Sequence, residues 1–328
     1  RPFLLLTECG IASRLQIERN FGGLVKPKLV FMAILVVSFV AATLKTVAVQ
    51  DQDQSKAIKA EEFIKGRPAK GVSRRAPATA KYKRDAGSTG AVSEATPPAG
   101  MAFAQLGVTF WRFRRSTVAD QTKELVEDEE GDSGEWTLER IEEGTPLSPG
   151  QKVRLSIESL SRDGYLYAID REEYADGTFG DPVLIFPTKK TEGANRVRAG
   201  HLIYLPSASG KFRIKPTASA KTHIGEVVTI IVAPKPLISE EQLGPKSIKL
   251  SRQQVESWEQ QWGGTVSKFE MDGGAGQAMT EREQTAASDH SQVLTQEDPA
   301  PQTVYRLAVK PENPIVVTLH LKFARSTN

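Results

Sequence analysis

From Gly107 onward the chain carries nine short runs that alternate apolar and polar residues or are apolar throughout, separated by clusters of Gly, Pro and Asp. In "KVRLSIESL", Val153, Leu155 and Ile157 fall on one face and Arg154, Ser156 and Glu158 on the other. Side chains of an extended strand point alternately to its two sides, so a period of two predicts a strand with one buried face. "VTFWRFR" sets Trp111 and Phe113 against Arg112 and Arg114, and "TVYRLAV" is a further strand. "IVVTLHLKF" sets Val317, Leu319, Leu321 and Phe323 against Thr318, His320 and Lys322. "GYLYAI" and "EVVTIIVAP" read as central strands, and "PVLIFP", "HLIYLP" and "KFRIK" complete the set. The expected fold is all-β, an antiparallel β-sandwich with one or two short accessory helices.

One helix is predicted over residues 252–262, in "LSRQQVESWEQQWGG". Ser251 is its N-cap, Gln254 completes a capping box, and Leu250 and Val255 stand at the hydrophobic-staple positions. Val255, Trp258 and Trp262 share one face, and Gly263 ends the helix. Trp258 and Trp262 are therefore either core or a partner surface. A weaker helix start is "TERE" at residues 280–283. The sandwich domain is expected over residues 105–328, with strands at 152–237, a mobile helical excursion at 239–300 and terminal strands at 303–324.

The first hundred residues have another texture. Residues 25–48 place Lys26 and Lys28 before an apolar run, Leu29 to Leu44, and a small-residue site, Thr46-Val47-Ala48. That is the layout of a secretory signal peptide, and the apolar run is short of the ~20 residues that span a bilayer. The alternative is an uncleaved membrane anchor. Residues 1–24 then read as upstream sequence translated in error. Residues 49–104 are rich in Ala, Lys, Arg, Pro, Ser and Thr, with Phe63, Ile64 and Tyr82 as the large apolar exceptions. Such a stretch buries too little surface to offset its chain entropy, which predicts a disordered basic linker.

Across the whole chain, 43 basic and 40 acidic residues leave a net charge of +3, too even a balance to select nucleic acid. The single cysteine, Cys9, lies in the doubtful upstream segment. Without it the exported chain has no disulfide, thiolate nucleophile or cysteine-ligated zinc. No cofactor is expected.

The stretch "DREEYADGTFGD" gathers Asp170, Glu172, Glu173, Asp176 and Asp181 within twelve residues. Counted from Asp170 or from Glu172, it breaks the ligand spacing of a helix–loop–helix calcium site, because Tyr174 takes a ligand position in either frame. It reads first as a solvated turn between two strands. Its alternatives are a calcium site using Asp170, Glu172, Asp176 and Asp181, or an acid–base pair, which needs environments that push two carboxyl pKa values apart. Other motifs are weaker. "GDSG" at residues 131–134 resembles a protease nucleophile turn, but His201, His223, His290 and His320 all follow Ser133 and show no metal-ligand spacing. "GGAGQAM" and "SGKF" fail as dinucleotide and phosphate loops.

Five motifs taken together, "GYLYAID", "VLIFPT", "NRVRAG", "HLIYLP" and "IIVAPKPL", run from Gly164 to Leu237. This segment resembles the bacterial DUF4384 family, a domain of unknown function. The resemblance implies a β-rich module with no established activity and supplies no catalytic residue. The function expected is an exported, non-enzymatic binding or assembly module of the bacterial cell envelope, periplasmic or extracellular. Its partner would be a protein or envelope component, not nucleic acid, with membrane contact only if residues 29–44 stay uncleaved. The alternatives are a calcium-stabilised structural domain and a hydrolase using carboxylates of residues 170–181.

Overall fold

The computed structural model describes residues 58–69, 81–84, 96–127, 133–191, 195–215, 221–288 and 293–324. The signal-like segment, the upstream residues, His290 and the Gly131-Asp132 pair lie outside the described residues.

Sixteen strands are described. The first six are β1 (Ile58–Lys59), β2 (Lys81–Arg84), β3 (Ala102–Arg115), β4 (Glu124–Glu127), β5 (Ser133–Ile141) and β6 (Lys152–Ser159). Then come β7 (Gly164–Tyr174), β8 (Val183–Phe186), β9 (Arg196–Val197), β10 (Ile203–Leu205), β11 (Phe212–Arg213) and β12 (His223–Ala233). The last are β13 (Ile248–Lys249), β14 (Val266–Met271), β15 (Thr303–Val309) and β16 (Ile315–Lys322). The helices are α1 (Ala60–Ile64), α2 (Arg252–Trp262) and α3 (Glu281–Ser288).

These strands form two antiparallel sheets. The larger runs β1-β2-β14-β15-β3-β5-β4, with β6 along the other side of β3 and carrying β10 and β11. The smaller runs β13-β8-β7-β12-β16, with β9 beside β7. Their facing surfaces make the main core. Leu106, Val108 and Phe110 of β3 and Val153, Leu155 and Ile157 of β6 meet Leu166, Ile230, Val317 and Leu319 from the smaller sheet. The all-β sandwich follows from alternating sequence that turns an apolar face of each strand to the core, although β6 is buried on its polar face too, Arg154, Ser156 and Glu158 included.

Two strands are apolar on both faces because their outer faces are covered too. Tyr167 and Ile169 of β7 and Ile231 and Ala233 of β12 pack on Val255, Trp258 and Trp262 of α2. On the larger sheet, Trp111, Phe113 and Leu138 are covered by Tyr204 and Met279.

The helix forms where expected, with one change at each end. Ser251 is the N-cap but its side chain makes no capping hydrogen bond, so the capping box is not realised. Leu250 and Val255 do pack into one cluster, as the staple requires. Gly263 ends the helix with an extended backbone (φ −60°), not a left-handed one, and donates to Glu259 O at 2.8 Å.

Two expectations are corrected, and two further strands lie where none was expected. Parts of the expected linker are folded: Phe63, Ile64 and Tyr82 are buried with Leu160, Phe269 and Val304, and β2 pairs with β14. Three large side chains suffice here because the edge of β14 supplies the backbone partners. Residues 239–300 are not merely a helical excursion, since β14 pairs with β15 along five residue pairs. The acidic run after Asp120 contributes β4 and β5, which pair from Glu124↔Trp136 to Glu127↔Ser133.

Candidate functional site

The acidic stretch is divided between a strand and a turn, and its carboxyls do different things. Asp170 to Tyr174 continue β7, and the turn proper is Ala175 to Gly177. Asp176 accepts hydrogen bonds from the Thr178 backbone and hydroxyl at 2.9 and 2.6 Å and pairs with Lys221 at 3.0 Å. Those contacts, the Thr178 hydroxyl first, hold its carboxyl low, at about 2. Asp181 is bound by Arg252 at 2.8 Å and by Lys249 at 3.6 Å, and Arg252 holds it below the usual range. Glu172 accepts from the Tyr174 hydroxyl.

Asp170, Glu172, Asp176 and Asp181 therefore do not converge. Among the described residues no group of three or more His, Cys, Asp or Glu is arranged to hold a metal ion. The calcium expectation for these four is corrected by strand alternation, which turns Asp170 and Glu172 towards the sandwich interior and leaves Asp176 and Asp181 outside.

Asp170 meets instead a residue that sequence reasoning passed over. In the β7–β12 register Asp170 lies opposite Val228, and Glu172 opposite Glu226. Opposed residues share a face, so Asp170, Glu172 and Glu226 lie on the inward face that Leu166, Ala168, Val228 and Ile230 fill further along. A bulge at Ile224, between His223 and Gly225, shifts the register just before Glu226. Such bulges re-aim side chains. Gly225 is needed there because a Cβ would sit 2.4 Å from Leu321 O.

Between the sheets at this end lies a cavity of about 160 Å³, lined by Asp170, Glu226, Arg213, Lys215 and apolar side chains that include Val153, Leu155, Leu205 and Val228. Asp170 Oδ1 and Glu226 Oε2 are buried and accept no hydrogen bond. The other Glu226 oxygen lies 3.3 Å from His223 Nε2. Burial, and then repulsion from Asp170 and Glu172, push the Glu226 carboxyl up to about 9. Burial pushes Asp170 up to about 6, against a lowering hydrogen bond from the Arg171 backbone. The legible signal was the alternation itself: Asp170 continues the Leu166, Ala168 series, and Glu226 begins the Val228, Ile230, Val232 series.

A second concavity, a wide groove of about 760 Å³, runs beside β16 and the end of α2. Four of its charges are paired: Glu143 with Lys268 at 2.9 Å, and Arg171 with Glu259 at 2.5 Å. His320 stands on the exposed face of β16, 3.7 Å from Glu173, while its backbone N–H donates to Glu143. Trp258 and Trp262 stack on each other (5.9 Å between ring centroids, 16° between planes) and lie half-buried on the smaller sheet. They belong to the packing of α2 on that sheet. Ser133 opens β5 opposite Glu127, as part of a strand pair.

No protein-family model, no curated protein and no solved structure matches this chain.

Proposed function

We propose that this chain is a non-enzymatic binding module exported to the bacterial cell envelope, and that its ligand occupies the cavity between the two sheets. One observation carries the proposal: a cavity of about 160 Å³ between the two sheets, walled mostly by apolar side chains with Asp170, Glu226, Arg213 and Lys215 in its lining. Binding sites combine apolar walls with a few convergent polar groups in this way. The volume suits a small guest and leaves no room for a polymer.

Export is supported by the signal-like layout of residues 25–48. The DUF4384 resemblance supports a bacterial β-rich module, and its five motifs supply β7, β8, β9, β10 and β12. A second reading is favoured by the two carboxyls, whose environments push their pKa values to about 6 and about 9. Split pairs of this kind serve as acid and base, so a hydrolase acting on small esters or glycosides is the competing proposal.

The test is titration of the protein with toluene, a neutral guest of ring size, followed by methyl NMR. Saturable shifts centred on Val153, Val228 and Leu321 would support a receptive cavity. Shifts that do not saturate, or that spread over the surface, would overturn it. Turnover of small ester or glycoside substrates that Asp170→Asn abolishes would replace the binding module with the hydrolase.

A further inference from the structure

We propose that the free edge of β16 takes up one extended segment of a partner protein, which adds to the smaller sheet as a further strand and carries acidic side chains on its outer face. The groove along that edge shares no lining residue with the cavity between the sheets.

β16 ends the smaller sheet, and its strand partner among the described residues is β12. In an antiparallel ladder the N–H and C=O of one residue point to the same side, and successive residues alternate between the two sides. The contacts of β16 fix which residues face which way. The Phe323 N–H donates to Ile224 O, on the β12 side, at 2.9 Å. The His320 N–H donates to Glu143 Oε1 at 2.8 Å, and Lys322 O accepts from the Leu147 N–H at 2.8 Å. Even-numbered residues therefore turn their backbone groups to the free edge.

Residues 143–147 cover that edge from His320 onward, with Leu147 bridging Phe323 in a parallel sense. Val316 and Thr318 have the same orientation as His320, and among the described residues no group bonds to their N–H or C=O on that side. An open edge is a template for another strand, and native sheets blunt it with proline, lysine or a covering loop. Here Pro314 stands before one end, and Lys322 and residues 143–147 at the other. The middle is left open.

The groove beside the open edge has room for a strand and limits it to one. Its volume is about 760 Å³, and Val266 and Lys268 of β14 and Tyr305 of β15 line it from the larger sheet. The larger sheet thus backs the position that a next strand would take. A second copy joining edge to edge would bring its own larger sheet into the same space, and a single strand would not. Gly263 and Gly264, beside the groove at the end of α2, put no side chain in the way. Segments that complete a sheet take affinity from main-chain bonds and specificity from alternate side chains.

Those alternate side chains meet different surroundings. Residues opposed across a strand pair share a face, so the occupant's residues opposite Thr318 and His320 would lie on the outer face, beside Lys322. Arg171 is held there by Glu259 at 2.5 Å, and Lys268 by Glu143 at 2.9 Å. Lys322 is exposed and has no carboxylate partner among the described residues. A carboxylate on the occupant would supply one. The intervening residues would face Val266 and the Tyr305 ring, which suit apolar side chains.

The experiment is amide exchange of the full chain, followed by NMR, with three short blocked peptides. One alternates valine with glutamate, one valine with lysine, and the third is the glutamate peptide N-methylated on the residues that would face β16. At saturation the glutamate peptide should slow the Val316 and Thr318 amides at least about tenfold, as new hydrogen bonds would. Val317 and Leu319, which point to β12, should not change. The lysine peptide should bind about fivefold more weakly, because like charges opposed across strands repel. Lys322→Glu, an exposed change, should reverse that preference. No slowing of the two amides, or equal binding by the N-methylated peptide, would overturn strand addition. An order of affinity that ignores Lys322→Glu would overturn the acidic partner. Slowing of the same amides when the chain alone is concentrated would give the edge to a second copy and overturn the proposal.

Discussion

Arg67 grips Glu158 through a two-pronged ion pair, with Nε to Oε1 and Nη2 to Oε2 both at 2.6 Å, and each side chain is 1% exposed. The other three guanidinium protons are used as well. Nη1 donates to the carbonyls of Thr295 and Asp298, and Nη2 to that of Pro299, each at 3.2 Å. All five donors of one arginine are satisfied. This holds a segment from the basic N-terminal stretch, residues 295–299 and the end of β6 at one point. Burial works against the charge on Arg67, and Glu158 outweighs it, so its pKa stays above the ordinary arginine value.

Arg67→Ala should destabilise the fold by about 3–5 kcal/mol, because it strands a buried carboxylate. Arg67→Lys should recover little, since an ammonium has three donors and no fork. The double variant Arg67→Met with Glu158→Leu should be much nearer the parent than either single variant. Urea melts of the parent, Arg67→Met, Glu158→Leu and the double variant check this, and an additive double variant would show the pair to be uncoupled.

Stability should fall as pH rises above neutrality. Asp170 and Glu226 hold their protons to about 6 and about 9 in the folded chain, against about 4 for an unfolded carboxyl. Over that interval the folded state binds more protons than the unfolded one, so stability declines with pH, by up to about 1.4 kcal/mol per pH unit for each proton of difference. Glu226→Gln should flatten the profile between pH 6 and 9 and raise the melting temperature at the alkaline end. A profile unchanged by the substitution would place the titrating group elsewhere.

Helix α2 should prove structural. Val255 is 1% exposed and sits with Tyr167, Ile169 and Ile231. Val255→Ala should cost about 1–3 kcal/mol as a core truncation, and Trp258→Glu should lower the melting temperature. A Trp258→Glu protein that melts like the parent would return that face to the role of a partner surface.

Calcium should leave the melting temperature where a chelator leaves it. A specific ion would add ~2.7 kcal/mol at a hundred times its dissociation constant, and the four carboxyls once considered together face separate partners. A calcium-dependent rise lost in Asp176→Ala with Asp181→Ala would contradict this.

Much of the sandwich was legible because alternation is a local property. The nine runs read from the sequence all contribute strands, and "VESWEQQW" carries its apolar face at helical spacing. The rest depended on neighbours. The strands β4 and β5 are held by pairing with one another and with β3, and β14 by β15. Arg67 looked like one more charge in a solvated run, because nothing near it in the chain announces Glu158, 91 residues away.

The sequence alone determined which segments extend, which one coils and which way each side chain alternates, because these follow from backbone geometry and the order of apolar residues. Only the tertiary structure decided which strands lie side by side. That choice turned Asp170 from a loop carboxylate into the buried neighbour of Glu226, 56 residues further on, and set both against an apolar cavity. Pairing between distant strands is selected by the packing of the whole core, and a bulge of one residue at Ile224 is enough to set where Glu226 falls.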